Sequence, residues 1–200
     1  YKAALKSYDV AMKAKVAPDQ SDQSRLQQQA LLRDGQIKVA MELWMDSEKS
    51  FTAFIEAHPK HELIRTAHLG LGWALQNQEN YPGAIGSYEK TVAAGVRDDA
   101  GARAQFLLGE CYFEKKQYGK AIQEFGKVEF LYAFPQWQSK AAYELAQALL
   151  RQSREEAAQG KVEDAKKNKK AARMHFELLI KRYPETKAAI AAKSELKLLK

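Results

Sequence analysis

The sequence has few residues that interrupt helices and almost none that could crosslink the chain. Its 200 residues include five prolines, eleven glycines and a single cysteine, Cys111. One cysteine excludes an intrachain disulfide, and its place in an apolar helical pattern predicts a buried thiol rather than a reactive one. Because Ala, Leu, Lys, Glu and Gln are abundant and lose little freedom in a helix, the composition predicts an all-α fold without strands.

Long apolar runs are also missing. No stretch approaches the roughly 20 apolar residues that span a bilayer, and the amino terminus lacks the charged and then apolar segments of a secretory leader. We therefore expect no transmembrane segment in this chain. Because the sequence begins at Tyr1 rather than at Met, we also expect it to be a fragment of a longer protein.

Residue patterns that support catalysis are absent as well. The sequence has no glycine-rich phosphate loop and no Ser, Cys or His in a recognisable nucleophile setting, so it predicts no enzyme and no cofactor. His58, His61 and His68 are close in sequence, but Pro59 interrupts the helix between the first two. No cysteine or well-placed carboxylate completes a tetrahedral set, so no metal is expected. His68 is interpreted as a half-buried structural imidazole.

The charge of the chain is mainly positive. A net charge of +7 favours acidic partners, whether protein, nucleic acid or anionic lipid. The densest basic run, "KKNKK" at 166–170, is interpreted as a solvated helix face. The alternative is an anion-binding accessory module that uses this insertion to bind nucleic acid or an anionic surface. Since no aromatic residues alternate with the lysines, stacking on bases is not indicated and no nucleic-acid partner is expected.

The sequence repeats itself with a spacing of 37 residues. Small residues recur in the first part of each copy and aromatic residues in the second: Ala30, Ala67, Ala104 and Ala141; Gly35, Gly72, Gly109 and Ala146; Trp44, Tyr81 and Tyr118; Phe51, Tyr88 and Phe125. Within a copy, apolar residues follow helical spacing, stop at a short polar link and resume. Each period is therefore a helix, a tight turn and a second helix, and neighbouring pairs must stack to cover their apolar faces.

In two segments the position of the turn between the helices of a pair is not evident from local residues alone. "RDGQ" at 33–36 resembles a turn, but the period places Gly35 inside a helix and predicts the turn near Met45, Asp46 and Ser47. The charged stretch 151–170 inserts about 14 residues into the last copy. It predicts that both helices of this pair are longer by about two turns, with a turn near Gly160.

The recurring glycine is expected to lie where the two helices of a pair are closest. Gly109 should then face the column of Ala84 and Ala121, because a larger side chain at that point would separate the helices. Its role is predicted to be architectural rather than functional.

The repeated residues resemble the tetratricopeptide repeat. The likeness is in "LGECY", in Tyr118 three residues before Ala121 and in Phe125 four residues after it, and "HLGLGWALQNQENYPGAIGSYEK" also matches. It covers nearly the whole chain and departs from the family in its 37-residue period and in the insertion. The resemblance implies an α-α superhelix, a solenoid of antiparallel helix pairs in one domain. The expected parts are the second helix of a truncated repeat (1–20), four repeats (21–60, 61–97, 98–135 and 136–184) and a capping helix (185–200).

The resemblance also implies a function and a binding surface. Such repeats are non-enzymatic scaffolds that bind a protein or peptide in a concave groove lined by the first helices. The groove residues carried over to this chain are Leu69, Trp73, Asn77, Arg103, Phe106, Glu110, Phe113, Lys140, Tyr143 and Arg151. Aromatic and arginine side chains are the usual interface anchors, so we expect a partner with apolar anchors and some acidic residues. The alternative is that two or three of the aromatic residues fill the core between helices.

A finer likeness concerns location. "FIEAHPKHELIRTAHLGLG" and "LLIKRYPETKAAIAAKSEL" share an aromatic or His before Pro, a short polar link and an Ala-rich helix. This arrangement is similar to bacterial cell-envelope tetratricopeptide proteins, such as the periplasmic coordinator of the Tol-Pal system and the outer-membrane assembly lipoprotein. It favours the periplasm or envelope and leaves a cytoplasmic location open. An apolar flank at Tyr1, Leu5 and Tyr8 would allow homo-oligomers through the open amino-terminal end.

Overall fold

The computed structural model describes residues 20–199 together with Ala3, Lys6 and Val10. Between residues 20 and 199 the chain forms nine helices and no strand, which confirms the all-α prediction. The helices are α1 (Gln20–Ala40), α2 (Trp44–Ala57), α3 (Ile64–Asn77), α4 (Tyr81–Val92), α5 (Asp99–Glu114), α6 (Tyr118–Leu131), α7 (Pro135–Ala158), α8 (Val162–Arg182) and α9 (Lys187–Leu198). None of the described helices is long and apolar enough to cross a membrane. Most of the predicted truncated repeat (1–20), including the flank at Tyr1, Leu5 and Tyr8, lies outside the described residues.

The chain divides after Ala93 into two compact units. Unit 1 contains α1 to α4, and unit 2 contains α5 to α9. Within each unit every helix packs against the next one in the chain. In unit 1, α1 also contacts α3, and in unit 2, α5 contacts α7 and α7 contacts α9. Unit 2 therefore places α5, α7 and α9 side by side, and the predicted binding residues must be sought on these helices.

Several helices begin at side chains that cap them. Before α4, the side chain of Asn80 accepts a hydrogen bond from the backbone N–H of Gly83. Before α5, a carboxylate oxygen of Asp98 accepts one from Gly101 at 2.7 Å. Such side chains satisfy N–H groups that have no partner inside the helix, which fixes where the helix starts.

The tight turns inside the first three pairs share one backbone feature. Glu42, Glu79 and Lys116 have φ values of 58°, 60° and 56°, in the left-handed region, and they are one period apart. A single left-handed residue lets the chain leave one helix and enter the next within a few residues. The repeat therefore extends to backbone conformation.

The turn of the first pair does not lie where the sequence predicted it. It is at 41–43, and Met45, Asp46 and Ser47 are already in α2. The prediction was wrong because Trp44, in the column of Tyr81 and Tyr118, is the first residue of its helix rather than part of the turn. Gly35 lies inside α1, as the period required.

The last pair is longer than the others. Helix α7 has 24 residues and α8 has 21, against 16 in α5 and 14 in α6. The turn between them contains Gly160, with φ of 76°. Inside the added turns, the Ser153 hydroxyl donates a hydrogen bond to the Ala165 carbonyl at 2.6 Å. Because seven residues are close to two helical turns, the insertion extends both helices without rotating their packing faces.

In each of the first three pairs, a glycine of the first helix faces an aromatic ring of the second helix at close range. A Cβ placed on Gly35, Gly72 or Gly109 would lie 2.9, 2.5 or 2.6 Å from the ring of Phe51, Tyr88 or Phe125, respectively. These rings are fully buried, and the prediction that Ala84 and Ala121 lie opposite the glycines stays a prediction. The small residue makes room for a ring.

Cys111 and His68, whose side chains can take part in chemistry, both lie in the core. Cys111 is fully buried, and burial, reinforced by Glu110 and Glu114, raises the pKa of its thiol to about 12. His68 is 8% exposed, so it is more deeply buried than expected. Burial and the nearby Lys90 lower the pKa of its imidazole, and its Nδ1 has no hydrogen-bond partner. Both side chains are therefore neutral structural groups near pH 7.

Candidate binding face

The predicted groove residues are divided between the two units. Leu69, Trp73 and Asn77 lie on α3 in unit 1, and the other seven lie in unit 2. Leu69 and Trp73 are half-buried and Asn77 is exposed. The Asn77 side-chain amide donates a hydrogen bond to the Trp73 carbonyl at 2.8 Å, which is a local contact one turn back along the helix. Of the three predicted groove residues in unit 1, Trp73 is thus the one with an aromatic side chain, and it is half-buried.

Phe106 lies in the core of unit 2. Its side chain is 6% exposed, and its ring centroid is 5.6 Å from that of Phe125 and 5.6 Å from that of Trp137. One period later, the Tyr143 ring is 5.7 Å from that of Phe176. The Phe106–Phe125 and Tyr143–Phe176 contacts correspond, because each joins the first helix of a repeat to the second helix of the same repeat. The Phe106 ring thus packs in the core, as the alternative interpretation of the aromatic residues allowed, and its contact with a partner stays a prediction.

Tyr143 and Phe113 remain partly accessible. The Tyr143 hydroxyl accepts a hydrogen bond from Gln147 at 3.0 Å and lies 3.5 Å from a carboxylate oxygen of Glu195 in α9. Phe113, near the end of α5, packs edge-to-face against Tyr118 at 5.3 Å. Each aromatic residue has one side against protein, so both are held in place by their neighbours.

Three carboxylates influence one another electrostatically across the adjacent helices α5 and α7. Glu144 on α7 is half-buried, and burial raises the pKa of its carboxyl to about 7, with further contributions from Glu110 and Glu114 on α5. Burial disfavours the charged form of Glu144 most, and the negative charges of Glu110 and Glu114 disfavour it further. We call Glu110, Glu114 and Glu144 the acidic cluster. The expectation of a partner with some acidic residues stays a prediction.

The predicted cations lie around this region with different exposure. Lys140 is exposed, and its Nζ lies 4.7 Å from the ring centroid of Trp137. Arg151 is exposed and Arg103 is half-buried. Trp137 was not predicted, although its indole Nε1 donates a hydrogen bond to Asp99 at 2.8 Å. Trp137 could have been predicted from the sequence, because it is an aromatic residue one helical turn before Lys140, a spacing that permits cation–π contact.

The added turns of the last pair create a second feature that the sequence did not reveal. An open notch of about 500 Å³ lies between the turn region 116–120 and the end of α7, where Gln152, Glu155, Glu156 and Gln159 line it together with Lys161. Glu156 already accepts hydrogen bonds from Gln152 and Asn168, at 3.1 and 2.7 Å. Its lining contains lysines and glutamates in nearly equal number. The notch therefore favours neither an anionic nor a cationic ligand. No group of three or more His, Cys, Asp or Glu side chains suited to a metal occurs in the described part of the chain.

Comparison with known proteins identifies the repeated unit. Residues 32–95 and 69–134 match one form of the tetratricopeptide repeat, and residues 140–186 match another. No curated protein matches the chain significantly.

Solved structures resemble the fold at low sequence identity. A tetratricopeptide repeat protein from Parabacteroides merdae aligns with a TM-score of 0.67 at 14% identity, over 86% of this chain and 59% of that protein. The chain thus spans less than two thirds of the length of that relative. MamA, residue 41 to the end, from Desulfovibrio magneticus aligns with a TM-score of 0.63 at 20% identity, over 92% and 97%. A protein of Podospora anserina with kinesin light chain TPR-like repeats aligns with a TM-score of 0.63 at 13% identity, over 86% of this chain and 84% of that protein.

Proposed function

Because the chain belongs to the tetratricopeptide repeat family, whose repeats are protein-interaction scaffolds, we propose that unit 2 binds a protein partner along its first helices. The proposed face is formed by α5, α7 and α9, which are adjacent in unit 2. It includes the acidic cluster, with Phe113 and Tyr143 as half-buried anchors and with Lys140 and Arg151 at exposed positions. We call this set the first-helix face.

The acidic cluster is the observation that supports this proposal. Burial raises the pKa of the Glu144 carboxyl, and the nearby Glu110 and Glu114 raise it further. A lysine or arginine side chain of a partner placed near Glu144 would favour the ionised form of its carboxyl. The partner segment is therefore expected to present a basic residue next to apolar ones. This revises the expectation of an acidic partner for this face.

Site-specific photo-crosslinking tests the location of binding. A photoreactive amino acid at Lys140 or Arg151 should give a crosslinked partner, because both positions lie on α7 and are exposed. The same reagent at Gln123 or Lys127 on α6, which are also exposed, serves as the control and should give none. Equal crosslinking at all four positions would contradict the proposed face.

Charge reversal and pH test the chemistry of binding. Glu110→Lys with Glu114→Lys should abolish crosslinking at Arg151 if a basic partner residue meets the cluster. Binding of the captured partner should also be tighter at pH 8 than at pH 6, because Glu144 ionises near pH 7, and Glu144→Gln should remove that difference. A partner retained equally by the reversed variant would rule out the acidic cluster as its contact.

We also propose a cell-envelope location. It is supported by the segments before α3 and α9, where Pro59 and Pro184 follow a ring-bearing residue and precede an Ala-rich helix. Fractionation of the cells that produce the protein, with a periplasmic enzyme and a cytoplasmic enzyme as markers, tests this. Recovery with the cytoplasmic marker alone would contradict it.

A further inference from the structure

The positive charge of the protein is concentrated at one end of the sequence. Residues 161–200 contain 12 Lys and Arg against 5 Asp and Glu, whereas residues 1–160 contain 20 of each. The whole net charge of +7 therefore belongs to the segment that includes α8 and α9. A charge so localised creates a strong local potential even though the rest of the chain is balanced.

The structure gathers part of this charge around an open groove. Four cationic side chains of α8 and one leucine beyond the end of α9 line a space of about 270 Å³, and we call it the basic groove: Lys166, Lys169, Lys170, Arg173 and Leu199. Helix α9 has 12 residues and α8 has 21, so α9 is too short to accompany α8 over its full length. The lengthening of the last pair thus provides the uncovered part of α8 on which the groove lies.

The cations of the groove are incompletely neutralised. Lys166 pairs with Glu163 at 3.0 Å and Arg173 with Glu177 at 3.2 Å, and all four side chains are largely exposed. Among the described residues, no carboxylate forms an ion pair with Lys169 or Lys170. Exposed pairs of this kind are weak, so an incoming anion can compete for the paired cations as well.

Apolar side chains line the basic groove and are exposed elsewhere on the same two helices. Leu199 contributes to its lining, and Leu198 is 80% exposed. On α8, Met174 and Leu178 are 52% and 53% exposed and lie one turn apart. Large apolar side chains next to clustered cations suit a ligand that is both acidic and apolar.

We propose that the basic groove docks an acidic segment of a partner protein that inserts one apolar side chain against Leu199. Carboxylates of the segment would lie between Lys169 and Lys170, and the apolar side chain would fill the concave space beneath them. The concavity favours a protruding side chain over a flat lipid surface. The lack of an aromatic ring in the lining disfavours nucleic-acid bases, which need a stacking platform. This surface is separate from the first-helix face and takes a partner segment of opposite charge.

A synthetic peptide tests the proposal directly. A fluorescein-labelled peptide of the sequence Asp-Glu-Asp-Leu-Glu-Asp-Glu is titrated with the whole protein at 50 and 200 mM NaCl and followed by fluorescence anisotropy. Binding is expected at low salt and should weaken at high salt, because exposed charges are screened over a Debye length of about 10 Å at 0.1 M. Replacing the peptide leucine with alanine should weaken binding, as should Leu199→Ser.

Matched charge reversals separate the groove from general attraction. Lys169→Glu with Lys170→Glu should weaken peptide binding by roughly tenfold or more, because two favourable ion pairs become repulsive. Lys181→Glu with Lys187→Glu changes the net charge by the same amount at exposed positions outside the groove. This control should weaken peptide binding much less. Circular dichroism confirms folding of each variant, and crosslinking at Arg151 should be unaffected by either.

Several results would overturn the proposal. One is an equal loss of peptide affinity in both double variants. Another is an affinity that does not change when the peptide leucine is replaced, and a third is the absence of peptide binding at 50 mM NaCl. Vesicles with 30% phosphatidylserine or a DNA duplex that bind through Lys169 and Lys170 more tightly than the peptide would assign the groove to a membrane or to nucleic acid instead. Sedimentation that shows a dimer dissociated by the same two reversals would assign it to a second copy of this chain.

Discussion

The two helix pairs of unit 2 pack their cores in the same way although one pair is much longer. In the regular pair, α5 and α6, the rings of Phe106 and Phe125 are 5.6 Å apart. In the lengthened pair, α7 and α8, those of Tyr143 and Phe176 are 5.7 Å apart. The insertion therefore leaves the internal contact of the repeat unchanged, because it adds about two complete turns to each helix.

The difference between the pairs lies at the surface. The added turns supply the wall of the notch near Gln159 and the uncovered part of α8 that holds Lys166 and Lys169. An insertion that respects the helical period can thus add binding surface without altering the packing that stabilises the fold. The following four predictions test how far the two pairs are equivalent.

The largest effect is expected from removing the central ring of each pair. Phe125→Ala and Phe176→Ala should each lower the free energy of unfolding by about 3–5 kcal/mol, because both side chains are fully buried and leave a cavity. Urea denaturation followed by circular dichroism measures the loss. A much smaller loss for Phe176→Ala would show that the lengthened pair does not depend on the same contact.

A smaller effect is expected at the glycine that receives the ring. Gly109→Leu should cost about 3 kcal/mol, because even a Cβ at this position would lie 2.6 Å from Phe125. Gly126→Ala is the control within the same unit, since the nearest atom to its Cβ would be 3.9 Å away. This control should instead gain about 0.5–1 kcal/mol from helix propensity. Thermal unfolding of Gly109→Leu at the wild-type temperature would refute the packing explanation.

The boundary between the pairs should respond to pH. Because the folded-state pKa of Glu144 is raised to about 7 from 4.5, the folded chain binds more protons than the unfolded chain between these values. Stability from this group is greatest below pH 4.5 and is lost as the pH rises towards 7. Between pH 5 and 8, Glu144→Gln should therefore lose less unfolding free energy than the wild type, by roughly 1–2 kcal/mol. Identical pH profiles would show that Glu144 is not destabilised by its neighbours.

The smallest effects are expected at the turns. Gly160 in the lengthened pair and Lys116 in the regular pair both have positive φ, a conformation that costs about 1 kcal/mol or more for a residue with a Cβ. Gly160→Ala should thus destabilise by about 1 kcal/mol, and Lys116→Gly should stabilise by about 0.5 kcal/mol after the entropy of glycine is counted. Differential scanning calorimetry can detect both shifts. Effects of the same sign would contradict the shared turn geometry.

Local pattern explains why much of the fold could be predicted. Helical spacing and the 37-residue period depend on residues within one helix pair, so the helices, the position of Gly35 in α1 and the lengthened last pair were accessible from sequence. The turn near Met45 was misplaced because aromatic columns mark the start of the second helix, not the residues before it. The ring that faces Gly109 was missed because the columns do not show which residues of two helices meet.

The binding residues were harder to predict because their environment depends on contacts between helices. Phe106 and Phe113 occupy similar positions in the sequence pattern, yet the first is buried in the core and the second is half-buried at the edge. Trp137 lies outside the repeat columns and was missed. The acidic cluster was not predicted as a group, because Glu144 comes 30 residues or more after the two glutamates that influence it.

The sequence by itself determined an all-helical repeat protein, the residues of its glycine and aromatic columns, and the concentration of positive charge after residue 160. These follow from composition and spacing along the chain. Only the tertiary structure decided which side chains remain accessible, which carboxylates influence one another, and how α8 and α9 leave a groove between them. The physical reason is that the pKa of Glu144 and the exposure of Phe106 are set by neighbours distant in sequence, whose positions follow from how the helices pack.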